Sequence, residues 1–180
     1  MVYEKIIKGR YVTIRSIQDS DAEFSLNIRQ NKEKTRFLHS VENDLEKQRN
    51  WIKKQQQTEG DFFFIAETDE GKPVGTVGIY EIADGVGHLG RLLMIGNPFQ
   101  TMEACLLVVE FAYESLGLHE LFGDVDVDNK ASMNISKTLG MHFGETEYDG
   151  AFGRWFKYGR AYKSEFPEVK KSIEKLIYRS

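Results

Sequence analysis

The sequence predicts an α/β fold of three layers, a mixed seven-stranded sheet with helices on both faces and a C-terminal helical extension. Three observations carry this. Leu92 to Ile95 is a continuous apolar run, too short for a helix, that stops at Gly96-Asn97-Pro98. A long apolar helix begins at once, because Asn97 is a favoured N-cap, Pro98 falls where a missing N–H costs nothing, and Gln100 stands three residues after the cap. Gly117 ends that helix and a new strand pattern, Leu121 to Val127, follows, which completes a βαβ crossover with parallel strands.

The remaining elements follow in order. Arg10 to Ile17 alternates Val12, Ile14 and Ile17 with polar residues, a half-buried first strand closed by Gln18-Asp19-Ser20-Asp21. Asp19 or Ser20 caps a helix to about Arg29, Asn31 to His39 reads as irregular, and Asp44 to Gln57 is a largely exposed helix anchored by Leu45, Trp51 and Ile52. Asp61 to Thr68 and Pro73 to Ile82 form an antiparallel pair around Asp69-Glu70-Gly71-Lys72, and Gly87 to Ile95 continues the meander after Asp84-Gly85. In the long helix Met102, Cys105, Leu106, Val109, Tyr113 and Leu116 recur at helical spacing, with Leu107, Val108 and Phe111 as a second apolar side.

Asp128 and Asn129 cap a helix over Lys130 to Leu139 that Gly140 ends. His142 to Tyr148 and Phe152 to Tyr162 are the last strands, separated by Asp149-Gly150. From Pro167 onward Val169, Ile173, Leu176 and Ile177 share one stripe of a final helix, an appendage or a dimer contact. The expected organisation is one domain over 1–163, with 164–180 as its C-terminal helical extension.

At 180 residues the chain fits one domain with a sizeable core, and its formal charge of -4 gives no basic field for nucleic acid. The single Cys105 allows no intramolecular disulfide and points to a reducing compartment. With no signal-peptide or membrane-spanning apolar run, the expected location is cytoplasmic, with no membrane partner. His39, His88, His119 and His142 are scattered without metal-ligand spacing, so no metal is expected. Walker, dinucleotide and Gly-x-Ser-x-Gly signatures are absent from the sequence.

A helix start at the carboxyl edge of a strand offers unpaired N–H groups and a positive dipole end, an anion site or simply a well-capped turn. Arg29, Arg36, His39 and Glu42 lie in or beside the connection between the first two helices, as substrate contacts or as solvated loop charges. Phe37, Trp51, Tyr80 and Trp155 either shape an acceptor pocket or fill core.

The opening RYVTIRSIQDSD, the IRQN segment, and Asn129-Lys130-Ala131-Ser132 followed by Leu139-Gly140-Met141 resemble the GNAT superfamily of acetyl-CoA-dependent N-acetyltransferases over about residues 9 to 163. Within it the chain is most similar to the Rim-type, ribosomal-protein-alanine acetyltransferase-like branch. The resemblance implies acetyl transfer from acetyl-CoA, as co-substrate, to a primary amine by direct attack in a ternary complex. The amine would be a small amine, a nucleotide-linked amino sugar or a protein N-terminus. The strand at Leu92 to Ile95 would splay from its neighbour, so that free backbone groups near Met94 and Ile95 pair with the pantetheine arm and the Ile95 N–H polarises the thioester carbonyl.

The pyrophosphate would meet the N–H groups of Phe99, Gln100, Thr101 and Met102. Where the family carries glycines this chain has Asn97 to Ala104, a degenerate loop with a carboxylate, Glu103, that would repel phosphate if it faced the ligand. Asn129 matches the family asparagine that contacts the coenzyme arm. Ser132 matches the Rim-type serine that protonates the leaving thiolate, and Ser136 stands where many members carry an acid tyrosine. His88 stands where part of the branch has a catalytic glutamate, with Glu81 acting through a water as the alternative. Arg29, Phe37 and Arg91 are candidate substrate contacts, Arg91 for an acidic group or for a salt bridge within the sheet. The other readings are a binding module that kept the fold but lost acetyl-CoA, and an adaptor that forms a homodimer through the final helix.

Overall fold

Asn97 and Gln100 close a reciprocal capping box, each side chain accepting from the other's backbone N–H, with Pro98 at the first helical position. In the computed structural model, residues 1–178 are described, and Arg179 and Ser180 of the expected extension lie outside them. The first half of the chain comprises β1 (Ile7–Lys8), β2 (Thr13–Ser16), α1 (Ala22–Arg29), α2 (Lys32–Thr35), α3 (Leu45–Gln57), β3 (Phe62–Glu67) and β4 (Pro73–Ala83). It continues through β5 (Val86–Met94), α4 (Pro98–Glu110), β6 (Glu120–Asp126), α5 (Lys130–Thr138), β7 (His142–Asp149), β8 (Arg154–Tyr162) and α6 (Phe166–Ile177). A π-helical turn, Phe111–Ser115, ends the central helix before Gly117, whose φ of 70° is the left-handed stop.

Among the described residues one open sheet holds eight strands in the order β1-β2-β3-β4-β5-β6-β8-β7, one more than the seven expected. The addition is β1, whose two residues are too few to show alternation and which exists by pairing Ile7 with Ile14 and Lys8 with Thr13. The stretch Asn31 to His39 is also more ordered than expected. It contains the single turn α2, because the Asn31 side chain accepts from the N–H groups of Glu33 and Lys34.

Alternation along β3 explains the layers. Phe62, Phe64 and Ala66 enter one core with Ala104, Val108, Phe111 and Ile173, while Phe63 and Ile65 enter a second core with Ile17, Ala22 and Ile52. α4 and α6 therefore cover one face, α1 and α3 the other. The apolar stripe of α6 packs largely within the chain, where Ile173 and Ile177 are buried, as an appendage would, while Leu176 of the same stripe stays largely exposed.

Candidate active site

β5 runs parallel to β6 through only three register positions, ending at His88 opposite Phe122. Between Thr76 and Gly78 the β4 ladder slips by one, so two β5 residues, Arg91 and Leu92, oppose Val77, and Arg91 adopts a φ of 53°. A bulge bends its strand. Beyond it β5 keeps β4 and leaves β6, opening the splay that the sequence resemblance implies.

Which backbone groups face that opening follows from alternation. The Ile95 N–H donates to the Val74 carbonyl at 2.8 Å, so Ile95 points toward β4 and is not the free donor expected. Its neighbour Met94 points the other way, N–H and C=O toward the open edge.

At the head of α4, the Gln100 N–H is taken by the Asn97 side chain and the Thr101 N–H by the Asn97 carbonyl, both at 3.0 Å. Met102 lies one turn in, within the helix's own ladder. Of the four donors expected to cradle phosphate, Phe99 alone has no bonded N–H among the described residues, and Gln100 is released only when Asn97 gives up its cap. Glu103 faces inward, away from any ligand at this end. Its carboxylate is fully buried and accepts from the backbone N–H groups of Arg10, Tyr11 and Val12 at 2.8, 2.6 and 2.8 Å, and from the Tyr178 hydroxyl.

The splay opens into a cleft walled by Leu89 to Leu92 on one side and Gly123 to Asp126 on the other. Asn129, Ser132 and Ser136 of the α5 region line it, with Phe37 at its rim and Cys105 at its floor. Asn129 also caps α5, accepting from the Ser132 N–H at 3.1 Å. Ser132 and Ser136 are one helical turn apart and share a face. Burial pushes the Cys105 thiol up to about 12, so no thiolate nucleophile is available there at neutral pH. A second cavity, lined by Arg36, Phe37, Asp126, Arg154 and Trp155, adjoins the first through Phe37 and Asp126.

His88 does not line the cleft. It lies between the rings of Tyr80 and Phe122, at 4.4 and 4.5 Å between centroids, with Nδ1 3.3 Å from Glu81 Oε2 and Nε2 3.1 Å from Asp124 Oδ1. Glu81 sits at a second bulge, with a φ of 52° that turns its side chain toward the imidazole. Asp124, absent from the residues expected from sequence, is the member of this group that reaches the cleft. Its one signal there is a carboxylate inside the strand pattern Leu121 to Val127.

Arg91 takes the sheet-internal role. It forks onto the Asp61 carboxylate, its second nitrogen at 2.8 Å, and lies over Tyr80, Phe63 and Trp51 at 4.2, 5.5 and 5.3 Å. Arg29 lines neither cavity. Its guanidinium donates to the His39 carbonyl at 2.6 Å, and partial burial lowers its pKa.

Comparison with known proteins agrees with this geometry. The pattern of the family described as acetyltransferase (GNAT) domain matches residues 12–142. The Bacillus subtilis (strain 168) protein named "Probable N-acetyltransferase YjcK" is 24% identical over 153 residues, 76% of this chain and 83% of that one. Among solved structures, a GCN5-related N-acetyltransferase from Brucella melitensis shares the fold with a TM-score of 0.80 at 18% identity, covering 97% of this chain and 86% of its own. Apo FdhC, titled a nucleotide-linked sugar GNAT, superposes with a TM-score of 0.77 at 21% identity, covering 98% and 97%. A chimera of the Vibrio cholerae spermidine N-acetyltransferase SpeG with hSSAT gives 0.76 at 14%, covering 88% and 99%.

Proposed function

This chain belongs to the acetyltransferase (GNAT) family, and on that premise we propose that it moves an acetyl group from acetyl-CoA to a primary amine by direct attack in a ternary complex. The chain is an acetyltransferase enzyme, which sets aside the coenzyme-free binding module. The observation that carries the proposal is the parting of β5 from β6 after His88, beside Asn129, Ser132 and Ser136 and at the head of α4.

The residues fit acetyl-CoA at the splay. Met94 offers an extended N–H and C=O to an amide-bearing arm, and its N–H replaces that of Ile95 as the donor that polarises the thioester carbonyl. Asn129 meets the arm from α5. Phe99, with Gln100, Thr101 and Met102 behind it, receives the phosphates as Asn97 uncaps; Asn97 to Ala104, without the family's glycines, supports reading the loop as degenerate, and Asn129 to Ser132 supports the Rim-type branch. Ser132 or Ser136 donates a proton to the departing thiolate. His88, backed by Glu81 and reached from the cleft by way of Asp124, takes the proton the amine must lose; Phe37 borders the acceptor's approach, and Arg29 holds the His39 carbonyl of the same connection. Arg91 serves the acceptor indirectly, by holding the sheet at the bulge.

The acceptor we propose is a small amine, an amino sugar on a nucleotide carrier or a protein N-terminus, a range supported by the sugar and spermidine enzymes of the same fold. Organisation as one domain with a C-terminal extension, a cytoplasmic location and a homodimer belong to the same reading. Thiol release from acetyl-CoA with spermidine, an alanyl peptide or a nucleotide-linked amino sugar tests it. At least one acceptor is expected to raise the rate about tenfold or more over water alone. A flat response across all three would sink the proposal.

A further inference from the structure

We infer that Asp124 is the carboxylate that receives the acceptor's ammonium group, held in its pose by His88. The inference rests on the acetyl-transfer reading and adds a residue and a charge preference to it. Four observations converge. Asp124 lines the cleft and His88 does not, so a group entering from the cleft meets the carboxylate first. Oδ1 of Asp124 is engaged by His88 Nε2 at 3.1 Å, while Oδ2 carries no bond among the described residues and its side chain is 38% exposed.

Asp124 stands beside Gly123, where the nearest atom to an added Cβ is the Leu89 carbonyl at 3.1 Å. The carboxylate is thus held at the point where the two strands begin to part, next to the bulge of β5. The imidazole beside it keeps the Asp124 carboxyl below the usual carboxylate range, so it is an anion at neutral pH.

The surroundings favour a cation with N–H donors over a neutral guest. Tyr80 and Glu81 of β4 and Tyr158 of β8, opposite Asp124, are the other titratable groups that face this cluster. Arg91, the nearest cation, is already forked onto Asp61. An ammonium at Asp124 therefore gains a charge-assisted hydrogen bond at Oδ2, with no lysine or arginine in contact among the described residues and His88 confined to Oδ1. His88 acts here as a positioning residue. Stacked between Tyr80 and Phe122 and flanked by Glu81, it has a single ring pose, and that pose fixes which carboxylate oxygen stays open to the cleft.

The test uses ethylammonium, the bare group shared by primary amine acceptors, added to the full chain with desulfo-CoA present, and follows the backbone amide resonances of Gly123 and Val125, which flank Asp124 and are present in every variant, by NMR. Saturable shifts are expected in the wild type, and tetramethylammonium, which has no N–H, should give none. Asp124→Asn should weaken ethylammonium binding about tenfold or more, the loss of a charge-assisted bond. His88→Gln, which keeps an N–H donor toward Asp124, should bind within about threefold of wild type, while His88→Ala should bind more weakly than His88→Gln.

Equal binding by wild type and Asp124→Asn, or no saturable shift in the wild type, would overturn the inference. A titration of the same samples with acetyl-CoA separates the two readings: Asp124→Asn should still bind it. A wild-type chain that fails to bind acetyl-CoA would remove the acetyl-transfer reading, whatever ethylammonium does.

Discussion

Glu103→Ala is expected to lower thermal stability more than any other single substitution in the α4 turn nearest the coenzyme end. The wild-type carboxylate is fully buried and meets four donors, three of them backbone N–H groups of the β1–β2 turn and the fourth the Tyr178 hydroxyl. Alanine removes the acceptor and leaves the buried Val12 N–H and the three part-buried donors without it. Each buried, unsatisfied donor costs about 1–3 kcal/mol, so even with partial relaxation the loss is about 4 kcal/mol. For a chain of this size that is a fall in Tm of roughly 10 °C, readable by circular dichroism.

Glu103→Gln should lie between the two, since its amide accepts on one oxygen but presents a second donor to groups that already donate. An alanine variant as stable as the wild type would mean that the clasp between α4, the amino-terminal turn and α6 contributes nothing to folding. The residue that reads in sequence as a threat to phosphate binding is, on this account, what anchors the helix that would bind it.

Arg91→Met is the second large effect. Asp61 has only 12% of its side chain exposed and keeps a single side-chain donor, Gln55 at 3.0 Å, once the guanidinium is gone. Stranding one partner of such a pair costs about 3–5 kcal/mol, whereas removing both is close to neutral. Asp61→Asn combined with Arg91→Met should therefore recover most of the stability lost by Arg91→Met alone, a coupling that a double-mutant cycle measures directly. Arg91→Lys should fall between, because an ammonium keeps the charge but not the bidentate fork over the Tyr80 ring. If Arg91→Met instead kept its stability and lost acceptor affinity, the side chain would be serving substrate and not the sheet.

Legibility in the sequence followed the range of the interactions. The corner at Asn97-Pro98 and the cap at Asn129 are local: a side chain satisfies an N–H three residues on, and the residue types announce it. The meander, the crossover and the amphipathic last helix are equally local in their periodicity. β1 was hidden because two residues carry no period, and α2 because it is a single turn held by one asparagine.

The site was only half legible for the same reason. Asn129 and Ser132 belong to one N-x-x-S motif and Ser136 follows one helical turn on, so local spacing alone brings the three together at the cleft. The donor assignment at Ile95 failed because a bulge at Arg91 shifts the alternation by one, and a bulge leaves no mark in the apolar pattern Leu92 to Ile95. The neighbours of His88 come from β4 and β6, and the partners of Glu103 lie between 75 residues away, at Tyr178, and 93, at Arg10. Pairings of that kind are set by the sheet order, which residue spacing does not encode.

Acetyl-CoA in the splay between β5 and β6 is the central claim, and calorimetric titration of the wild type beside Ser136→Trp tests it most directly. Ser136 lines the cleft and is partly exposed on α5, so an indole there fills the cleft without entering the core, and a thermal scan checks that the variant is folded. The account predicts wild-type binding with a Kd on the order of micromolar and a loss of about thirtyfold or more in the variant. Absence of binding at millimolar acetyl-CoA, or equal affinity in the two proteins, would contradict it.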